Sequence, residues 1–272
     1  MTEADAQRGF QAGGQAGDLF AGTAGAYAVY RRPYPPPVVQ HLVARCGLDG
    51  HGRLLDVGCG TGQVFQVMAR YFENVLAIDP DPEMVVHARR AVADLGLDNV
   101  DVRQMRAEDL SAAVAPLRAA IFGASFHWTD RPRVADMVYD LLEPNGCLAV
   151  LSPAGFHTGT TDWEAAIRAA LARHLGSERR AGGGVFRAGE LHQETLGRTR
   201  FKTVETIGIP VREQWSVEQI LGYLRSTSYA SKAVLGDRAT AFEDELRRSL
   251  GALASRGPLD KLVDHTVIIA RH

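Results

Sequence analysis

One stretch, residues 54–62, constrains the fold of this chain more than any other. Leu54–Val57 is a short apolar run around one acid, and it leads directly into Gly58, Gly60 and Gly62. Apolar residues at helical spacing follow the loop, namely Val64, Val67, Met68 and Tyr71. The pattern therefore predicts a strand, a glycine-rich turn and a helix. Such a unit forms a ligand cradle, because glycines let the backbone approach a ligand closely.

A second acid, Asp79, comes after the next apolar run, Val75–Ile78. In a right-handed βαβ unit this acid lies beside the cradle, where a ribose would offer two hydroxyls. The glycine spacing argues against a dinucleotide site. A G-x-G-x-x-G fingerprint that begins at Gly58 needs its third glycine at position 63, where this chain has Gln63.

The pattern acid-x-Gly-x-Gly-x-Gly over Asp56–Gly62, with Asp79 at this distance, resembles motif I of the class I S-adenosylmethionine (SAM) methyltransferases. The resemblance implies a Rossmann-like fold with SAM as cofactor. The alternation of predicted strands and helices indicates the same fold class, an α/β doubly wound and mostly parallel sheet.

Composition agrees with a soluble enzyme of one large domain plus insertions, since 46% of the 272 residues are hydrophobic. A formal net charge of -2 gives no electrostatic case for nucleic acid. No run is long and apolar enough to span a membrane and no signal pattern is seen, so we expect a cytoplasmic protein. Cys46, Cys59 and Cys147 match neither a disulfide framework nor a zinc site, and no metal is expected.

The predicted organisation has five parts. Residues 1–18 form a mobile N-terminus, 19–46 a lid and first helix, 47–152 the SAM-binding core, 153–260 a helical insertion or cap on the substrate side, and 261–272 a final strand that returns to the sheet. The prolines within 20–37 predict an extended or turning path without a helix there.

Three local matches resemble one branch of the superfamily, the small-molecule enzymes similar to trans-aconitate methyltransferase (methyltransferase type 11). Tyr27–Pro35 resembles an entry segment Y-A-x-Y-R-P-x-Y-P, residues 126–128 an F-H-W motif, and Glu143–Gly146 a turn before the fifth strand. The resemblance covers about residues 20–152.

The resemblance implies the cofactor contacts. They are Arg31, Asp56, Gly58, Cys59, Gly60, Asp79, Pro80, Met84, Ala107, Glu108, Ala124 and Ser125. Asp79 would accept both ribose hydroxyls, Ala107 would donate its N–H to adenine, and Glu108 would accept from the adenine amine. Many relatives have Asp where this chain has Arg106, which is donor-only. Either Glu108 takes over that bond, or Arg106 stacks on the ring or turns away.

His127 is the candidate general base, because it follows the fourth strand of the core at the carboxyl edge of the sheet. The alternative is that His127 and Trp128 only shape the pocket wall. The predicted substrate-binding residues are Tyr27, Tyr30, Trp128 and His157. Tyr27, Tyr30 and Tyr34 form either a mobile lid or a static wall.

Three functions stay open from the sequence. The first is SAM-dependent methylation of an O, N or C nucleophile of a small molecule, by a monomer or homodimer that binds neither nucleic acid nor membrane. The second is a SAM-binding protein with a cyclase or scaffold role, because fold does not fix chemistry. The third is a NAD-type dehydrogenase, which Gln63 disfavours.

Overall fold

The structure is a computed structural model and describes residues 8–10, 20, 22–156, 159–176, 180–181, 184–185 and 188–272. Its strands are β1 (Arg8–Phe10), β2 (Arg53–Val57), β3 (Asn74–Asp79), β4 (Val100–Gln104), β5 (Leu117–Gly123), β6 (Leu142–Pro153), β7 (Arg180–Ala181), β8 (Gly184–Val185), β9 (Ala188–Leu191), β10 (Thr203–Trp215) and β11 (Leu259–Arg271). Its α-helices are α1 (Ala24–Tyr30), α2 (Pro36–Cys46), α3 (Phe65–Met68), α4 (Pro82–Leu95), α5 (Arg131–Leu141), α6 (Asp162–Leu175), α7 (His192–Leu196), α8 (Val217–Arg225), α9 (Lys232–Leu235) and α10 (Ala239–Ala254).

Seven strands form the central sheet, in the order β10-β11-β6-β5-β2-β3-β4. The five strands β2 to β6 run parallel, and β11 is antiparallel to both of its neighbours. Alternate residues of β2, β3, β5, β6 and β11 enter two separate cores, as in β5, where Ile121 faces one core and Phe122 the other. Helices α2, α3 and α4 cover the first face, and α5 and α7 cover the second. The predicted doubly wound, mostly parallel sheet is confirmed.

A third core builds a helical cap from α6, α8, α9 and α10, and it includes Phe156, Trp163 and Trp215. The cap is tied to the sheet by a buried ion pair, because Lys261 Nζ of β11 lies 2.8 Å from Glu164 Oε1 of α6. Residues 153–260, predicted as one insertion or cap, do not all belong to this cap. Within that range, β10 forms the edge of the central sheet, and α7 packs on the second face of the sheet.

The proline-rich segment differs from the prediction, because residues 24–30 form the helix α1. Its four prolines stand at 33 and 35–37, beyond the last helical residue, so none of them breaks α1. Pro36 instead takes the first position of α2, where its missing N–H costs nothing.

The N-terminus also differs in one place from the predicted mobile segment. Strand β1 pairs antiparallel with β9 and packs near residues 126–128, while residues 1–7 and 11–19 lie outside the described part of the chain. Sequence periodicity gives no signal for three residues that pair with a partner so far along the chain.

Candidate functional site

A pocket with about 870 Å³ of empty space opens at the carboxyl edge of β2, β3 and β5. The lining residues are Phe20, Tyr27, Val57, Gly58, Gly60, Asp79, Pro80, Asp81, Met84, Met105, Arg106, Ala107, Glu108, Gly123, Ala124, Ser125, Trp128 and Thr129.

The glycine loop has left-handed backbone at Gly58 (φ 63°), Gly60 (φ 56°) and Gly62 (φ 106°). At Gly58 there is no room for a side chain either. A Cβ there would stand 2.6 Å from the Cβ of Ser125, whose hydroxyl donates to the Val57 carbonyl. The end of β5 is thus packed directly against the loop after β2, and both line the pocket.

The carboxylate of Asp79 is fixed by two backbone amides. Oδ2 accepts from the Gly60 N–H at 2.8 Å, and Oδ1 accepts from the Asp81 N–H at 2.9 Å. Each carboxylate oxygen keeps a second lone pair for a ligand hydroxyl. Burial raises the pKa of Asp79 to about 6, although the two amide hydrogen bonds oppose this rise.

Asp56 lies beneath the loop, is fully buried and does not line the pocket. Its Oδ2 accepts from the Phe65 N–H at 3.2 Å, which joins the end of β2 to the first turn of α3. Its Oδ1 has no hydrogen-bond partner among the described residues. Burial raises the pKa of Asp56 to about 8, the Phe65 amide lowers it, and Asp79 raises it further.

Acidic and basic groups also meet in the pocket at Glu108 and Arg106. Glu108 Oε1 accepts from the Asp130 N–H at 3.0 Å, at the start of α5. Glu108 Oε2 lies 3.5 Å from the half-exposed guanidinium of Arg106. The positive charge of Arg106 is therefore paired with Glu108 in this structure.

Ala124 has a left-handed backbone (φ 56°), which is unusual for a residue with a side chain. Its N–H donates to the Leu151 carbonyl at 2.9 Å, so the strained turn is held by the neighbouring strand β6. Backbone strain of this kind is concentrated at binding sites. Here it directs Ser125 towards the glycine loop.

Aromatic side chains cover the pocket. The Phe20 ring meets the Trp128 ring edge-on with centroids 5.6 Å apart, and meets Tyr27 at 6.4 Å. The Tyr27 ring lies against the loop, since a Cβ at Gly60 would be 3.4 Å from its Cε1. Burial raises the pKa of Tyr27.

The structure brings most of the predicted site residues together. The predicted residues that line the pocket are Gly58, Gly60, Asp79, Pro80, Met84, Ala107, Glu108, Ala124, Ser125, Tyr27 and Trp128. Of the described residues, Arg31, Asp56, Cys59, Tyr30 and His127 do not line it. His157 lies outside the described residues. The roles of all these residues stay predictions.

His127 has an aromatic environment beside the pocket. Its ring lies 4.5 Å from that of Trp128 and stacks at 6.0 Å on the ring of His192 from α7. Burial lowers the pKa of His192 to about 2, so that imidazole is neutral. His127 thus contacts the pocket through Trp128, and its role stays a prediction.

Sequence reasoning missed Phe20, Met105 and Thr129 as pocket residues. Met105 and Thr129 flank predicted motifs by one residue, so a wider window around each motif would have included them. Phe20 falls within the lid predicted for residues 19–46, although it is not among the predicted substrate-binding residues.

A doubly wound sheet with a glycine loop and an acid after the next strand is the architecture of class I methyltransferases. Residues 54–146 match the family described as "Methyltransferase domain". This part of the chain is therefore similar to a methyltransferase domain, as the sequence resemblance predicted.

Two relatives agree with this assignment. The trans-aconitate 2-methyltransferase of Mycobacterium tuberculosis (strain H37Ra) is 33% identical over 139 residues, which cover 48% of this chain and 47% of that protein. An uncharacterized methyltransferase of the same species is 30% identical over 136 residues, 48% and 51% of the two chains. The chain thus spans about half the length of these curated relatives.

Solved structures share the fold. A proposed type II methyltransferase from Anaeromyxobacter dehalogenans superposes with a TM-score of 0.59 at 24% identity, over 89% of this chain and 97% of that one. The YcgJ protein of Bacillus subtilis gives 0.54 at 16% identity, over 86% and 98%. Within the described residues, no helix is long and apolar enough to cross a membrane.

Proposed function

We propose that this protein transfers the methyl group of SAM to an O, N or C nucleophile of a small molecule. The observation that carries the proposal is the Asp79 carboxylate, which the Gly60 and Asp81 amides hold at the pocket wall. It stands in a domain whose sequence matches methyltransferases.

The pocket fits SAM at three points. The two free lone pairs of Asp79 match a pair of ribose hydroxyls in charge and number. Met84 and Ala107, which also line the pocket, offer apolar contact for adenine. Gly58 and Gly60 line the pocket with backbone, against which the methionine half would lie.

SAM, when bound, supplies a methyl group already activated by a sulfonium. The chain's own residues then have to bind, orient and exclude water. Proximity and alignment alone supply roughly 7–11 kcal/mol. The aromatic cover of Phe20, Tyr27 and Trp128 excludes water from such a pocket.

The first acceptor class to test is a small carboxylate, because one relative is named trans-aconitate 2-methyltransferase. An ionised carboxylate is nucleophilic without a base. This fits the position of His127, which packs against Trp128 and His192 rather than lining the pocket.

Calorimetric titration with SAM, S-adenosylhomocysteine and NAD tests the cofactor. We expect binding of the first two and none of NAD. S-adenosylhomocysteine formation is then measured across a panel of di- and tricarboxylates, phenols and amines. Binding of NAD without SAM would contradict the proposal, and SAM binding with no turnover on any acceptor would favour the non-methylating role.

A further inference from the structure

Helix α1 presents one face to the rest of the protein. Tyr27, Tyr30 and Arg31 lie at i, i+3 and i+4, which places them on the same side. The other side is exposed, and Val29 keeps 72% of its surface accessible. A helix of seven residues is not stable alone in water. Whether α1 is formed therefore depends on what that single face contacts.

The first contact is between Tyr30 and Gly222 of α8. A Cβ built at Gly222 would stand 2.2 Å from Cγ of Tyr30, so the ring packs directly on the backbone of α8. Gly222 lies inside the helix and is itself buried. The glycine is thus required for the close approach of the two helices, and not for an unusual backbone conformation.

The second contact is made by Arg31. Its Nε donates to Ser226 Oγ at 2.8 Å and its Nη1 to the Tyr223 hydroxyl at 3.3 Å. The guanidinium also lies between two rings, 4.8 Å from the centroid of Tyr27 and 4.2 Å from that of Tyr223. The sequence resemblance implied a cofactor contact for Arg31, yet in the structure it joins α1 to the cap.

The same face also meets the glycine loop. Gln63 Nε2 donates to the Arg31 carbonyl at 3.5 Å, and Tyr27 lies on Gly60. On the cap side, the Tyr223 ring packs on Phe156 with centroids 4.4 Å apart. A continuous set of contacts therefore runs from the cap core through α8 and α1 to the cofactor pocket.

We infer that Arg31 and Gly222 are positioning residues, which dock α1 on the cap and so keep Tyr27 over the cofactor pocket. This inference rests on the proposed function, because it assigns the docked helix to retention of the SAM cofactor. The apparent affinity of a ligand that binds only the docked state is its intrinsic affinity multiplied by the fraction of molecules in which α1 is docked. Loosening the α1–α8 contact therefore weakens binding without touching the pocket.

The test compares two glycine-to-alanine variants of the full-length chain. Gly222→Ala places a methyl group into the Tyr30 ring. Gly251→Ala, in α10, makes the same change where no atom lies within 4 Å, and serves as the matched control. S-adenosylhomocysteine is the probe. Its affinity is measured by calorimetry and its release rate by surface plasmon resonance.

We expect Gly222→Ala to weaken S-adenosylhomocysteine at least about tenfold and to speed its release, while Gly251→Ala matches the wild type. Amide exchange across residues 24–30 should rise in Gly222→Ala at a temperature well below melting. A merely structural glycine would lower the melting temperature and leave affinity and release unchanged, which would overturn the inference.

Should Gly222→Ala not fold, Ser226→Ala makes the same test by removing the acceptor of the Arg31 Nε bond. We expect severalfold faster release, and an unchanged rate would overturn the inference. A wild-type protein that does not bind S-adenosylhomocysteine would instead refute the proposed function itself, so the two failures are distinguishable.

Discussion

The Gly60 amide donates to Asp79 at 2.8 Å, so the centre of the glycine loop and the acid that ends β3 are directly joined. The same carboxylate that is proposed to bind the ribose also fixes the loop against which the methionine half would lie. A change at Asp79 therefore acts on both halves of the cofactor site.

We predict that Asp79→Asn weakens SAM at least about tenfold, because a charged acceptor is lost and an amide N–H is turned towards the Gly60 or Asp81 N–H. The ionised carboxylate is the binding form, and its pKa is raised to about 6 in the ligand-free protein. Affinity of the wild type should therefore fall as the pH drops through 6, by up to about tenfold per pH unit below it. Calorimetry between pH 5 and 8 measures this decline.

The matched control for this prediction is Asp94→Asn on the exposed side of α4, which should keep the wild-type affinity and pH dependence. The Asp79→Asn variant should show a flat pH profile. A wild-type affinity that stays constant from pH 8 to 5 would exclude Asp79 as the charged acceptor.

A comparison of Gly58 with Gly96 distinguishes the effect of backbone strain from that of a steric clash. Both glycines have φ of 63°, but only a Cβ at Gly58 would collide with another side chain, that of Ser125. Gly96→Ala should cost about 1–2 kcal/mol of stability and leave SAM affinity intact. Gly58→Ala should cost more and abolish measurable binding. Chemical denaturation and calorimetry check both, and equal affinities in the two variants would contradict the packing of the loop on Ser125.

His127→Ala should lower kcat only severalfold, with little change in the pH dependence, because the imidazole packs on Trp128 and His192 outside the pocket lining. The measurement is a pH–rate profile of wild type and variant, with the exposed His51→Ala as control. A loss of about 10²–10⁴-fold in kcat, together with disappearance of the fall in rate at low pH, would identify His127 as the general base.

Removal of residues 1–10 should loosen β9, since β1 is its strand partner. Hydrogen exchange of the amides in Ala188–Leu191 should speed up, and the melting temperature should change little because this two-stranded sheet lies outside the central one. Unchanged exchange at β9 would show that β1 does not pair with it in solution.

The fold class could be predicted from the sequence because short segments of the chain indicate it. Gly58, Gly60 and Gly62 predict a glycine-rich turn, and Asp79 ends an apolar run with the length and composition of a strand. These are properties of short segments, so periodicity and glycine placement predict them without knowledge of the rest of the chain.

The parts that could not be predicted depend on distant partners. Helix α1 is too short to be stable by its own propensity, and it exists through Gly222, nearly two hundred positions later. Strand β10 reads as part of an insertion until β11 is seen to lie between it and β6. Phe20 lies in the predicted lid, but its ring contacts with Tyr27 and Trp128 join separate segments and could not be predicted from either one.

The buried Lys261–Glu164 pair has a consequence for how the protein is assembled. Glu164 belongs to the first helix of the cap, whereas Lys261 arrives with β11, which must first pair between β6 and β10. A buried carboxylate without its cation is strongly unfavourable. Opening the sheet at β11 would therefore destabilise the cap by removing the cation of Glu164, and we expect the two parts to stabilise each other. Grafting the cap onto another sheet would require a cation in the place of Lys261.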